Sequence, residues 1–355
     1  MQKATAAIFD AAVQRFELVD LPVPEPVGSE IRVRNTYVTL CGSDLKTYTG
    51  ERKEKNPTIL GHEVCGHIDA FGPTACRQDA SGRPLNRGDF VTWSVFASAA
   101  DDPQSLAGRP QKAASLFKYG HEQHRADCSW HGGLAAYTIL RAGSTVLKVK
   151  KSIPASVVAL VNCALATATG ALRLAGSLRG QRVLIAGAGA LGLMSCAVSK
   201  DAGAAHVAVV EPDAARRDFA GQFGVKETFS PEEATGRFDL ILETSGAPSA
   251  MERALEMLAI GGRCVWLGAV FPQRKVQVSA EALIRGVNTI RGLHNYNRTD
   301  FIKALNFMER NYDRFPFDCI IQHEFPLAEV NSAFEYAITA KPLRVGVRIT
   351  SMLGL

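Results

Sequence analysis

The chain lacks any long uninterrupted apolar run. Its most apolar twenty residues, 157–176, include Asn162, Arg173 and two glycines, which reads as buried protein core rather than a membrane span. The first twenty residues show neither the basic start nor the apolar stretch of a secretory signal. Cysteine is sparse, eight residues scattered over 355, so a disulfide framework is not expected and reduced thiols in the cytoplasm are. An excess of one charge is missing as well: 40 Lys and Arg against 35 Asp and Glu leave +5 spread along the chain. The densest basic stretch, Arg52 to Lys55, is broken by Glu54, so nothing demands a nucleic-acid partner. Internal repeats and low-complexity segments are absent.

What is present is an ordinary globular composition, 46% hydrophobic and 21% charged, on a chain long enough for two domains. From Ala4 to about Lys150 the text is short alternating segments cut by Gly and Pro, such as EIRVRNTYV at 30–38 and DFVTW at 89–93, which predicts an antiparallel β domain. After Ser152, apolar runs of four to six residues (VLIAG, HVAVVE, FDLILE, RCVWLG) alternate with helical stretches at 191–202, 213–222 and 249–258. That alternation predicts buried parallel strands with crossover helices. Past His294 come helical patterns at 299–310 and 327–338 and a closing strand at 344–349, too little for a domain alone. The expected organisation is therefore one discontinuous β domain, 1–152 with 296–355, into which a parallel-sheet domain, 153–295, is inserted.

The stretch QRVLIAGAGALGLM, 181–194, reads strand, then Gly187-Ala-Gly189-Ala190-Leu191-Gly192, then helix. Gly187 permits the tight turn, Gly189 lets backbone approach a pyrophosphate, and Gly192 lets the helix pack close to the strand. The free amides of the helix start face the anion. Glycines also mark ordinary turns, but the next strand ends in Glu211, 19 residues beyond Gly192, where a carboxylate would bind the adenosine ribose hydroxyls and repel a 2′-phosphate. NAD is favoured over NADP, with Arg216 and Arg217 one turn on as either softening charges or solvated helix residues.

Cys41, His62, Glu63 and Cys163 carry the thiolate, imidazole and carboxylate chemistry that zinc takes in tetrahedral geometry. Each also has an ordinary reading: buried thiols, a surface acid, and Ser43 or Asp44 capping a short helix over residues 45–48. Taken jointly, just ahead of a dinucleotide fold, the metal reading is preferred.

These elements resemble the zinc-dependent medium-chain alcohol dehydrogenases. The likeness covers essentially the full length and rests on CGSD at 41–44, GHEVCGHI at 61–68, GDFV at 88–91, GGLAAY at 132–137, CALATATGA at 163–171, GAGALG at 187–192 and KPLRVGVRI at 341–349. The resemblance implies an α/β protein: a GroES-like β domain that holds zinc, a doubly wound Rossmann domain that holds NAD, and a cleft between them. It implies Cys41, His62 and Cys163 as zinc ligands, Glu63 as the adjoining carboxylate, Asp44 as the group orienting His62, and Ser43 as the hydroxyl through which the substrate proton leaves. Thr167 resembles the residue touching the nicotinamide, and Arg344 one that reaches the pyrophosphate. Many relatives carry the proton outward on a histidine; Lys46 stands there instead.

Many members of the family also hold a structural zinc on four cysteines spaced C-x2-C-x2-C-x7-C. Here that spacing falls on Ala99, Asp102, Ser105 and Ala113, so one zinc per chain is expected. For the substrate, a small alcohol or carbonyl compound, His294 and Asn295 are candidate contacts, joined by Lys46 and by His121 or Glu122. Such a pocket suits a polar or anionic alcohol, a polyol or a phosphonate. KYGHE at 118–122 and GLHNY at 292–296 resemble a branch proposed to accompany phosphonate catabolism. Relatives form homodimers or homotetramers by joining Rossmann sheets edge to edge, for which residues 264–270 are a candidate edge. Two other functions stay open: a zinc-free reductase of activated double bonds or quinones, which needs neither Cys41 nor Cys163, and a non-catalytic NAD-binding protein.

Overall fold

The alternation read at 30–38 becomes the strand Ile31–Thr39, the hub of an eight-stranded sheet in a computed structural model that describes residues 2–150 and 152–349. It pairs along one side with Glu63–Phe71 and along the other with Arg344–Arg348 and Tyr137–Leu140, all antiparallel to it. The sheet continues from Glu63–Phe71 to Phe90–Ala97 and, beyond Arg344–Arg348, to Ile321–Pro326. Its core gathers Val38, Leu60, Val64, Trp93 and Tyr119 with Phe334 from the C-terminal helix Val330–Ala340. Phe9, Phe16, Tyr48 and Phe334 pack ring on ring with centroids 4.7–5.9 Å apart. The C-terminal helix and the strand Arg344–Arg348 are thus part of the first unit's core, to which Phe334, Val345 and Val347 all contribute.

The chain forms two compact units. The first comprises Met1–Cys163, Asn297–Glu309 and Phe317–Leu355, and the second Ala164–Tyr296 with Arg310–Pro316. The change of pattern in the sequence falls at 152, whereas the first unit runs on to Cys163, because Cys65 Sγ and Asn162 tie that segment to the β domain.

The second unit is a six-stranded, all-parallel sheet. In chain order its strands are Arg182–Ala186, His206–Val210, Glu227–Phe229, Phe238–Glu243, Leu258–Trp266 and Thr289–Gly292, and in space they stand 3-2-1-4-5-6. Short runs buried on both faces, such as VLIA and LILE, are what a sheet covered by helices on both sides requires. The order reverses between Arg182–Ala186 and Phe238–Glu243, the place where doubly wound sheets open a ligand crevice. Residues 264–266 are flanked on both sides, so the sheet's edges are Glu227–Phe229 and Thr289–Gly292 and not the 264–270 stretch.

The helical stretch Ala155–Ala175 is long and apolar enough to cross a membrane by length and composition alone. Its most apolar window is 78% buried inside the molecule, as core requires.

Candidate functional site

Strand order explains the convergence at the first unit. Ile31–Thr39 delivers Cys41 just past its end, while two of its neighbours bring Glu63 and Arg344 to that same end. Gly61 makes the turn into the neighbour with a φ of +90°, and a Cβ there would press on Leu134 and Val38 at 3.1 Å, so only glycine aims His62 and Glu63 this way. The ligand atoms of Cys41, His62, Glu63 and Cys163 all lie within 4.8 Å of one another. Two sulfurs, one imidazole nitrogen and one carboxylate are a donor set that fits zinc.

Asp44 is not the cap of a helix over 45–48. The helix spans Gly42–Tyr48 with Cys41 as its N-cap, and Asp44 reaches back to accept the Cys41 N–H at 3.0 Å. Its other oxygen lies 3.2 Å from His62 Nδ1. One buried carboxylate therefore fixes the backbone of Cys41 and the ring of His62, leaving Nε2 free for a metal ion. Asn162, missed in the sequence although it adjoins Cys163, donates from Nδ2 to the carbonyls of His62 and Trp93, each at 2.9 Å. That ties the Cys163 segment to the His62 strand.

The electrostatics suit a cation. The Cys41 thiol is drawn well below the ordinary range, first by the hydrogen bond with Cys163 and further by His62 and Arg344, against its burial. Cys163 is driven up by that same hydrogen bond and by burial. A proton held between the two sulfurs is what a bound divalent ion would displace. Burial works against charge on His62, but Asp44 and Cys41 raise its pKa well above the usual value. Burial also raises Glu63, against the pull of Arg344. Arg344 Nε and Nη2 hold the Glu63 oxygens at 2.9 and 3.1 Å, and Nη1 donates to the Leu343 carbonyl. The guanidinium expected at a pyrophosphate is thus engaged beside the metal donors.

Ser43 lies half-buried in the first turn of the Gly42–Tyr48 helix, next to Cys41. Lys46, one turn on, ion-pairs with Glu51 at 3.2 Å on the solvent side. His121 stands beside the donors: its ring centroid is 5.1 Å from that of His62. Its Nδ1 lies 3.4 Å from Glu54, which in turn pairs with Arg52. Glu122 ion-pairs with Lys55. Arg52 and Glu54 were hidden in the sequence because a mixed-charge run reads as solvated surface; only the fold sets Glu54 against His121. His294 and Asn295 follow the edge strand of the second unit, Asn295 in the left-handed region with φ +55°. Thr167, buried, opens the helix Ala166–Ala175 of that unit.

The lobe that the four-cysteine spacing would occupy is organised around Asp102. Its two oxygens accept the Gln104 and Ala114 N–H groups, both at 2.8 Å, and its own N–H donates to Ala99. Ala99 N–H in turn donates to Ser115 Oγ.

At the dinucleotide motif, Gly187 has φ +104° and Gly192 packs against it so closely that a Cβ at 192 would lie 1.9 Å from the Gly187 carbonyl oxygen. A Cβ at Gly189, by contrast, meets nothing within 4 Å. Ala190 and Leu191 begin the helix Ala190–Asp201. The Glu211 carboxylate is fixed by the Ala188 N–H at 2.7 Å and the Asp213 N–H at 3.1 Å. Gly187, Gly189, Glu211, Arg216 and Thr244 line a cavity of 620 Å³ at the switch point. An open backbone cradle with an anchored acid at its far end fits a dinucleotide with free ribose hydroxyls.

Residues 28–151 match the alcohol dehydrogenase GroES-like domain family, and residues 190–310 the zinc-binding dehydrogenase family. An L-threonine 3-dehydrogenase from Thermococcus kodakarensis is 31% identical over 93% of both chains. A 5-exo-hydroxycamphor dehydrogenase from Pseudomonas putida is 27% identical over 94% of this chain and 96% of its own. Among solved structures, an alcohol dehydrogenase from Thermotoga maritima superposes with a TM-score of 0.91 at 25% identity, over 98% of this chain and 100% of that one. The chain belongs to the zinc-binding, medium-chain alcohol dehydrogenases.

Proposed function

We propose that the protein oxidises a polar alcohol with NAD, or reduces the matching carbonyl compound, at a single zinc held by Cys41, His62 and Cys163 with Glu63 adjoining. The observation that carries this reading is the convergence of four donor atoms within 4.8 Å from three separate stretches of chain. Bound zinc would supply electrophilic stabilisation of negative charge developing on the substrate oxygen. The chain's own residues do the rest: Asp44 orients His62, Ser43 is placed to take the alcohol proton, and Glu211 with the glycine cradle holds the cofactor. NAD is the favoured cofactor because Glu211 is buried and anchored where a 2′-phosphate would lie. His121, with the Glu54 and Arg52 pair behind it, supports a polar substrate.

The test is zinc content together with NAD reduction on hydroxyalkylphosphonates, polyols, L-threonine and simple alcohols, in the wild type and in Cys163→Ala. About one zinc per chain, with metal and turnover lost together in the variant, is the expected result. Turnover surviving in Cys163→Ala would establish the zinc-free reductase instead, and NAD binding without turnover on any alcohol the non-catalytic protein.

A homodimer or homotetramer joined through Thr289–Gly292 is supported by the free edge of that strand and by the exposed Ile284 and Val287 just before it. Light scattering that returns a monomer mass would exclude it. A cytoplasmic site is supported by eight cysteines that are all unpaired.

A further inference from the structure

Glu63 is one of the four converging donors, yet its carboxylate is already committed elsewhere. In the sheet it stands directly opposite Thr39, and Thr39 stands opposite Gly346, two residues on from Arg344. Three strands therefore bring their ends to one buried acid. Thr39 Oγ1 donates to Glu63 Oε2 at 2.6 Å, with both residues at 0% exposure. Arg344 Nε donates to the same oxygen at 2.9 Å, and Nη2 donates to Oε1 at 3.1 Å. That Nη2 also lies 3.9 Å from Cys41 Sγ, so the guanidinium bridges Glu63 and one of the two sulfurs. A carboxylate offers about four lone-pair sites, and three donors occupy these two oxygens. The Thr39 bond has the length of a hydroxyl donating to an oxyanion, and at this depth there is no bulk water to replace it.

Resting on the reading of function above, we propose that Thr39 is a positioning residue. Together with Arg344 it holds Glu63 as a counter-charge outside the ligand set, so that Cys41, His62 and Cys163 are the protein ligands and the fourth position stays open for substrate. The Thr39 hydroxyl decides between two arrangements of the same acid. With it, Oε2 has two donors and the carboxylate keeps its pairing with Arg344. Without it, a buried anion is left short of a donor among atoms that all lie within 4.8 Å of one another, and coordination to the metal is the nearest remedy. Glu63 would then close the open position against substrate.

The experiment uses protein whose zinc has been exchanged for cobalt(II), so that visible absorption reports the ligand set, with imidazole as the probe of the open position. In the wild type imidazole should bind saturably and shift the band. Thr39→Val keeps the shape and strand preference of the residue. It should move the band of the resting protein and weaken imidazole binding about tenfold or more, the worth of a hydrogen bond to a charged group. Thr39→Ser, which returns the hydroxyl, should restore both. In the Glu63→Gln background Thr39→Val should no longer affect imidazole, because the competing carboxylate is gone. Glu63→Gln alone should leave the resting band where it is. A resting band moved by Glu63→Gln alone, equal weakening by Thr39→Val with and without Glu63, or no effect of Thr39→Val at all each overturns the positioning role. If alcohols are oxidised zinc-dependently while any of these holds, the reading of function stands without it. If the Thr39 effects appear as expected while no alcohol is turned over, the positioning role stands and that reading fails. Protein that takes up no cobalt overturns both.

Discussion

The Arg344 guanidinium grips the Glu63 carboxylate at both ends, at 2.9 and 3.1 Å, with Nη2 also 3.9 Å from Cys41 Sγ. The buried acid sits among groups that become anionic when they bind a metal, and Arg344 supplies the compensating charge. Arg344→Leu should therefore cost about 3–5 kcal/mol in urea unfolding, because it strands a buried carboxylate. Adding Glu63→Gln should recover most of that loss. A double variant no more stable than the single would show that the charge pair is not what matters.

Asp102 should hold its lobe without any metal. Asp102→Ala removes the acceptor for two backbone N–H groups, so residues 98–116 should become the first site of limited proteolysis while zinc content stays at the wild-type level. Zinc loss in that variant would place a metal in the lobe after all.

Glu211 should set cofactor choice through its anchored charge. Glu211→Ser should move the ratio of kcat/KM for NAD over that for NADP by about tenfold to a hundredfold toward NADP. Measured alongside, zinc content should not change.

Acid should unfold the protein partly through His131. Its ring is 2% exposed with no hydrogen-bond partner on either nitrogen among the described residues, and burial pushes its pKa down to about 3. The unfolded chain takes up a proton near pH 6.5 that the folded chain refuses until about 3, so stability falls as pH drops through that window. One such group contributes a slope of about 1.4 kcal/mol per pH unit between roughly pH 6 and 4. His131→Leu should flatten the acid limb of stability against pH by that amount and leave stability at pH 8 little changed.

The sequence by itself marked the period of the principal elements and the residues proposed to hold the metal and the cofactor. Residues 30–38 and 182–186 announce an alternating and a doubly buried strand, because burial on one face or on two leaves different marks in the text. Gly187, Gly189, Gly192 and Glu211 were legible because a dinucleotide cradle is built from consecutive backbone at a fixed spacing. So were Cys41, His62 and Cys163, whose side chains have few other uses in combination. Tertiary structure alone decided which charges face them. Arg344 lies 281 positions from Glu63, yet strand pairing through Ile31–Thr39 makes them partners. Glu54, unremarkable in a mixed-charge run, owes its meaning to the turn that sets His121 against His62. Periodicity and spacing are local properties of the chain, whereas electrostatic partnership depends on distance in space, which only the folded sheet fixes.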